Sequence, residues 1–139
     1  DHPIVYTREN FARRVRELTD GEGVPVVFDS IGKDTFMDSL ACLRPLGLMV
    51  SFGNASGAVP PVDIGVLARM GSLFLTRPTL FTYAARRSEL LAMASELFDL
   101  VVAGTLRVEI NQRYALKDVA QAHRDLEGRR TSASSILLP

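Results

Sequence analysis

Two short apolar runs constrain this chain more than anything else in it. "VPVVFDS" (Val24 to Ser30) and "LMVSF" (Leu48 to Phe52) are continuous apolar stretches bounded by glycine. Short uninterrupted runs of this kind are expected of strands buried on both faces. The segment between them, "KDTFMDSLACLRPLG", places Phe36, Leu40 and Leu43 on one helical stripe. Asp34 can cap its start, and Pro45 with Gly47 stops it. Strand, helix and strand with short loops predict a parallel pair joined by a crossover.

The flanking segments extend this α/β pattern. Ile4, Val5 and Tyr6 read as a short strand at the very start. In "ENFARRVRELTDGEG", Phe11, Val15 and Leu18 recur at helical spacing, with Gly21 and Gly23 closing the segment. After the loop "GNASGAVPP", Asp63 opens a short helix with Ile64, Leu67 and Met70 inward. "SLFLTRPTL" reads as a third strand, and Pro78 places it near a sheet edge, because proline cannot donate to a central ladder. Beyond Pro78 the character changes. Ser88 caps a long helix with Leu90, Leu91, Ala94, Leu97, Phe98 and Val101 as its stripe and Gly104 at its end. "LRVEI" (Leu106 to Ile110) reads as a strand, Val119, Ala122 and Leu126 as the buried side of another helix, and "SSILLP" as a last strand. This final third reads as a second layer rather than as more of the first sheet.

Composition excludes several classes. In 139 residues, 16 basic and 16 acidic side chains cancel, so no net field draws the chain to nucleic acid. At 47% hydrophobic residues a substantial core is expected. No apolar run approaches the ~20 residues of a membrane helix. Cys42 is the only cysteine, which excludes an internal disulfide and fits a reducing cytoplasmic setting. With His2 and His123 as the only histidines, no metal-ligand spacing is present.

The informative chemistry sits where strands end. Asp29-Ser30-Ile31-Gly32 and Phe52-Gly53-Asn54-Ala55-Ser56-Gly57 both give up hydrophobicity at once. Open parallel sheets bind ligands outside the carboxyl ends of their strands, where glycine admits a close backbone. Turn chemistry uses the same residues. Either stretch alone reads as a turn; two at consecutive strand ends leave a turn and a binding edge evenly open. For Asp29, capping its own turn is the favoured reading, since no G-x-G-x-x-G precedes it to make it a ribose acid. Tyr6 reads equally as a base-stacking residue and as a strand aromatic. No nucleophile–base pair and no paired carboxylates are apparent.

Taken together, "VVFDSIGKDTF", "SLACLRPLGLMVSFGNASG", "GSLFLTRPTL" and "AQAHRDLEGRRTSASSILLP" resemble the quinone oxidoreductase branch of the medium-chain dehydrogenase/reductase superfamily. The resemblance runs the length of the chain. It implies a zinc-free, two-domain enzyme that reduces quinones with NADPH. It also implies that this chain is a C-terminal fragment, consistent with a start that lacks methionine and opens directly into an apolar run. Residues 1–78 would be the second half of a Rossmann-type parallel sheet with flanking helices. Residues 79–139 would be a C-terminal α+β segment belonging to the catalytic domain.

Residue by residue, the resemblance assigns cofactor contact to Tyr6 beside the adenosine 2′-phosphate and to Ser30 at the next strand tip. Phe52, Gly53, Asn54 and Ser56 would surround the nicotinamide riboside. Thr76 and Arg77 would pass close to the nicotinamide amide, and Arg129 would reach the cofactor from the C-terminal segment. No residue is assigned a catalytic role. The family further implies a homodimer through the strand Ser72–Thr76, an apolar edge without blunting charges. The fragment alone is expected to be inactive. Two alternatives stand beside this reading: an enoyl or alkenal reductase of the same superfamily, and a non-catalytic self-association module.

Overall fold

The computed structural model describes residues 1–139. Its elements are α1 (Phe11–Leu18), β1 (Val24–Asp29), α2 (Phe36–Ala41), β2 (Leu43–Ser51), α3 (Gly65–Arg69), β3 (Phe74–Thr76), α4 (Leu80–Tyr83), α5 (Arg87–Val102), β4 (Ile110–Ala115), α6 (Val119–Glu127) and β5 (Ser134–Leu138). They form two compact units, Asp1–Thr82 and Tyr83–Pro139.

The first unit is built on a three-stranded parallel sheet in the order β1-β2-β3. The expected strand–helix–strand crossover is present, and β3 lies at the sheet edge as Pro78 requires. Asp29 pairs with Ser51 and Val50 with Thr76, so all three strands end at one edge of the sheet. Phe36, Leu40, Leu43, Met49, Val66 and Leu73 form the core, with Leu40 and Met49 fully buried.

Several local expectations are corrected. Ile4, Val5 and Tyr6 form no strand; Tyr6 begins a turn in which the Val5 carbonyl accepts from the Arg8 and Glu9 amides. The helical stripe ends at Ala41, not at Pro45. Arg16 explains the stop: its Nε donates to the Ala41 carbonyl at 2.9 Å and its Nη2 to the Leu43 carbonyl at 2.7 Å. The chain therefore turns to strand before the proline. Between Val24↔Leu43 and Val26↔Leu48 the register shifts, and residues 44–47 bulge out, which removes Pro45 from the ladder. On β1, Val26 and Phe28 are exposed, whereas Val24 and Val27 pack against the core.

Asp34 does not cap α2; Thr35 occupies that position without a side-chain cap. Ile64 is exposed, and Val66 takes the inward place on α3. The third strand starts at Phe74 rather than Ser72, because Ser72 has left-handed backbone with φ +55.

In the second unit α5 begins at Arg87, with Arg86 rather than Ser88 at its cap, and its apolar stripe is largely exposed. The strand read at Leu106 to Ile110 lies further on, at Ile110–Ala115, and it pairs parallel with β5 in a separate two-stranded sheet. On α6, Val119 and Ala122 are half-buried, whereas Leu126 is exposed.

Candidate functional site

The ends of β1 and β2 are clasped to each other by their own main chains. The Phe52 amide donates to the Asp29 carbonyl at 2.8 Å, Ala55 to Ser30 at 3.1 Å, and Ser56 to Ile31 at 2.8 Å. In return Lys33 donates to the Gly57 carbonyl at 3.2 Å. Gly53 makes the fit possible. A Cβ there would stand 2.3 Å from the Ser30 carbonyl oxygen and 2.7 Å from its Cα.

Asp29 anchors the clasp from beneath. One carboxylate oxygen accepts from the Ile31 and Gly32 amides at 2.8 and 2.9 Å. The other accepts from the Thr35 and Ser39 hydroxyls, both at 2.7 Å. Burial alone would raise its pKa, but the bonds from Gly32, Ser39, Thr35 and Ile31 outweigh that, and the carboxyl sits below its ordinary value. Asp29 thus caps its own turn, as read from sequence. Its partners Thr35 and Ser39, six and ten residues on, were not anticipated. Their spacing on the first turns of α2 is the only sequence signal for them.

Two open grooves border this edge. One, of about 320 Å³, is lined by Tyr6, Phe28, Asp29, Ser30 and Ile31 among others. The other, of about 370 Å³, is lined by Ser51, Asn54, Val59, Leu75 and Arg77 among others. Of the residues singled out from sequence, Tyr6 and Ser30 therefore share one groove, and Asn54 and Arg77 the other. Phe52, Gly53 and Ser56 belong to the clasp joining the strand ends, and Phe52 is half-exposed. Thr76 ends β3 opposite Val50. Arg129 lies in the second unit.

These side chains differ in what they have left to offer. The Ser56 hydroxyl is spent inside the clasp, donating to the Ile31 carbonyl at 2.8 Å and accepting from the Asp34 amide at 3.0 Å. Arg77 ties β3 to β2 by donating to the Ser51 carbonyl at 2.8 Å. Ser30, Asn54, Thr76 and Tyr6 make no such internal side-chain bonds, and their polar atoms remain available to a ligand.

In the second unit Asp125 gathers a network that sequence gave no sign of. It accepts from the Tyr114 hydroxyl at 3.0 Å, from Gln121 at 2.9 Å and from Arg130 at 2.9 Å. Partial burial would raise the Asp125 pKa; the bonds from Tyr114, Arg130 and Gln121 hold it below the ordinary carboxylate value. The Tyr114 hydroxyl is pushed up, by desolvation first and by Asp125 second.

The sequence pattern of the zinc-binding dehydrogenase family matches residues 1–135. The chain belongs to that family. Within it, this chain is 57% identical over 136 residues to the quinone oxidoreductase of Pseudomonas aeruginosa, covering 98% of this chain and 42% of that protein. The structure of Escherichia coli quinone oxidoreductase complexed with NADPH superposes with a TM-score of 0.92 at 48% identity, over 98% of this chain and 42% of that one. A 2-haloacrylate reductase from a Burkholderia species is 46% identical over 99% of this chain and 42% of its own length. A crystal structure of 2-haloacrylate reductase superposes with a TM-score of 0.89. This chain thus spans about two fifths of the length of the relatives it matches.

The likeness to quinone oxidoreductases over the whole chain, and the α/β class with parallel sheets, agree with what the sequence motifs imply. The family's description names zinc, but no three metal-ligating side chains come together here. The residues present do not form a zinc site.

Proposed function

We propose that this chain is the cofactor-binding, C-terminal portion of an NADPH-dependent quinone reductase. The observation that carries the reading is the clasp: two consecutive parallel strand ends, locked by Asp29 and by the close approach of Gly53 to Ser30, with unspent polar groups facing two grooves. Open parallel sheets bind dinucleotides at such an edge. The likeness to a reductase that was crystallised with NADPH supports the same cofactor.

In this reading residues 1–78 belong to the dinucleotide-binding domain and 79–139 to the catalytic domain. Tyr6 and Ser30 hold the adenosine end; Phe52, Gly53, Asn54, Thr76 and Arg77 border the nicotinamide end; Arg129 supplies positive charge. Ser56 acts by fixing the loop rather than by touching the cofactor. When bound, NADPH supplies the hydride that a quinone accepts. The residues of this chain orient the dinucleotide and exclude water from the strand-end edge.

The outer edge of β3 is unpaired, and Phe74 and Leu75 on it are exposed. That supports a homodimer formed by edge-to-edge pairing at Ser72–Thr76. A buried, free Cys42 supports a reducing, cytoplasmic location.

The test is NADPH oxidation by the full-length protein with simple quinones. Turnover with quinones is expected, and absence of NADPH binding would refute the reading. The 139-residue chain alone should show none. A second reading, reduction of conjugated enones, is favoured by the 46% identity to a 2-haloacrylate reductase. A panel setting quinones against enones separates the two by their ratio of kcat/KM.

A further inference from the structure

We propose that Thr35 and Ser39 are positioning residues: through the Asp29 carboxylate they fix the strand-end edge on which NADPH binds, and this rests on the NADPH reading above. Helix α2 gives up local stability to make the contact. Thr35 stands at the cap of this six-residue helix, yet its side chain makes no cap bond. It donates instead to the Asp29 Oδ2 at 2.7 Å, and Ser39, one turn on, donates to the same oxygen at 2.7 Å. A hydroxyl at the cap ordinarily accepts from the first turn, and serine is a poor choice inside a helix. Neither residue serves α2 itself.

The carboxylate they hold is buried, as are both hydroxyl-bearing residues. Its four donors are the two hydroxyls and the Ile31 and Gly32 amides, and all four are neutral. A buried carboxylate without a counter-charge adds little stability over apolar packing of the same volume. What it adds is direction, because each oxygen has its own pair of donors.

That direction is passed to Ser30. Asp29 fixes the amides of Ile31 and Gly32, while the carbonyls of Ser30 and Ile31 accept from the Ala55 and Ser56 amides of the second loop. Gly53 lies so close to Ser30 that a Cβ has no room. Ser30 is therefore held by both loops at once, and its unbonded hydroxyl lines the groove of about 320 Å³. Thr35 and Ser39 line the same groove from buried positions, with their hydroxyl protons committed to Asp29. Supporting bonds of this kind hold a binding edge in its productive geometry.

The test uses the full-length protein, with NADPH affinity from a fluorescence titration and steady-state kinetics with a quinone. Thr35→Val keeps the side chain's shape and removes its hydroxyl. It should raise both Kd and KM for NADPH about three- to tenfold, part of the worth of one hydrogen bond to a charged group, and leave kcat within about twofold. Thr35→Ser keeps the hydroxyl and should stay within about twofold of the unaltered protein. Ser39→Ala should repeat the effect of Thr35→Val, and it serves if that variant does not fold. In an Asp29→Asn background Thr35→Val should add less than it does alone, since it acts through the carboxylate. Without NADPH, amide hydrogen exchange at Ala55 and Ser56 should quicken in Thr35→Val while that of Met49 in the core holds. The proposal is overturned if Thr35→Ser weakens binding as much as Thr35→Val, if the Thr35→Val and Asp29→Asn effects multiply, or if exchange at Ala55 and Ser56 is unmoved. If Thr35→Val and Ser39→Ala bind NADPH as the unaltered protein does, the hydroxyls only hold the fold. If the unaltered protein itself binds no NADPH, the cofactor reading fails, and the proposal with it.

Discussion

Replacing Gly53 by alanine tests whether the strand-end clasp is a matter of space. The added Cβ would lie 2.3 Å from the Ser30 oxygen, 2.7 Å from its Cα and 2.8 Å from its carbonyl carbon. Carbon contacts are comfortable at about 3.5–4.0 Å, so one loop must move by about 1 Å. All three obstructing atoms are backbone, and no side chain can swing away. Overpacking of this kind costs about 1–3 kcal/mol. The movement also loosens the bonds from Ala55 to Ser30 and from Ser56 to Ile31, each worth about 1 kcal/mol. The expected loss is about 2–4 kcal/mol, with weaker NADPH binding beside it.

Gly21→Ala provides the contrast. Gly21 has φ +84 but nothing within 4 Å of a Cβ, so only backbone strain acts there, at about 1 kcal/mol. Urea denaturation of the full-length protein, with an NADPH titration of each variant, compares the two. A Gly53→Ala cost no larger than that of Gly21→Ala, with NADPH affinity intact, would refute the steric account of the clasp.

Three further outcomes are expected. Leu46 has φ +62 and an exposed side chain, so Leu46→Gly should stabilise the fold by about 0.5–1 kcal/mol in chemical denaturation. The carboxyls of Asp29 and Asp125 are held below their ordinary value of 3.8, so the stability they add is complete above that pH and is lost as pH falls through their folded values. Unfolding curves at pH 6 and pH 3 should show the drop, and Asp29→Asn should flatten it. Cys42 is buried, and its thiol is pushed up to about 11 by burial first and by Asp38 second, with Arg16 opposing. A thiol reagent at pH 8 should label it only on unfolding; rapid labelling of the native protein would contradict that burial.

How much of this was readable in the chain depends on whether the signal was local. The crossover from β1 through α2 to β2 follows from two buried runs and one stripe, because such periodicity reports burial directly. Pro78 likewise placed β3 at an edge through the hydrogen bond it cannot make. The end of α2 was misread because its cause is 25 residues away in sequence, in the Arg16 guanidinium. Ile4 to Tyr6 have strand composition but no ladder partner, and composition does not supply one. At the candidate site, the glycine and the small polar residues were visible as types. That Ser56 turns inward while Ser30 and Asn54 stay available depends on the fold of both loops at once. Tyr114 and Asp125 carry no motif, and only the packing of β4 against α6 brings them together.

Arg16 does more than end α2. Besides the Ala41 and Leu43 carbonyls, its Nη1 donates to those of Gly21 and Glu22, at 2.9 and 3.0 Å. Every one of these acceptors is main chain, and none carries a charge that a proton can remove. The strand-end loops, by contrast, hang on a carboxylate. Acid should therefore take the first unit apart in a fixed order: the strand-end edge slackens while α1 is still pinned to the junction of α2 and β2. Binding would be lost over a range of pH in which the scaffold beneath it still stands.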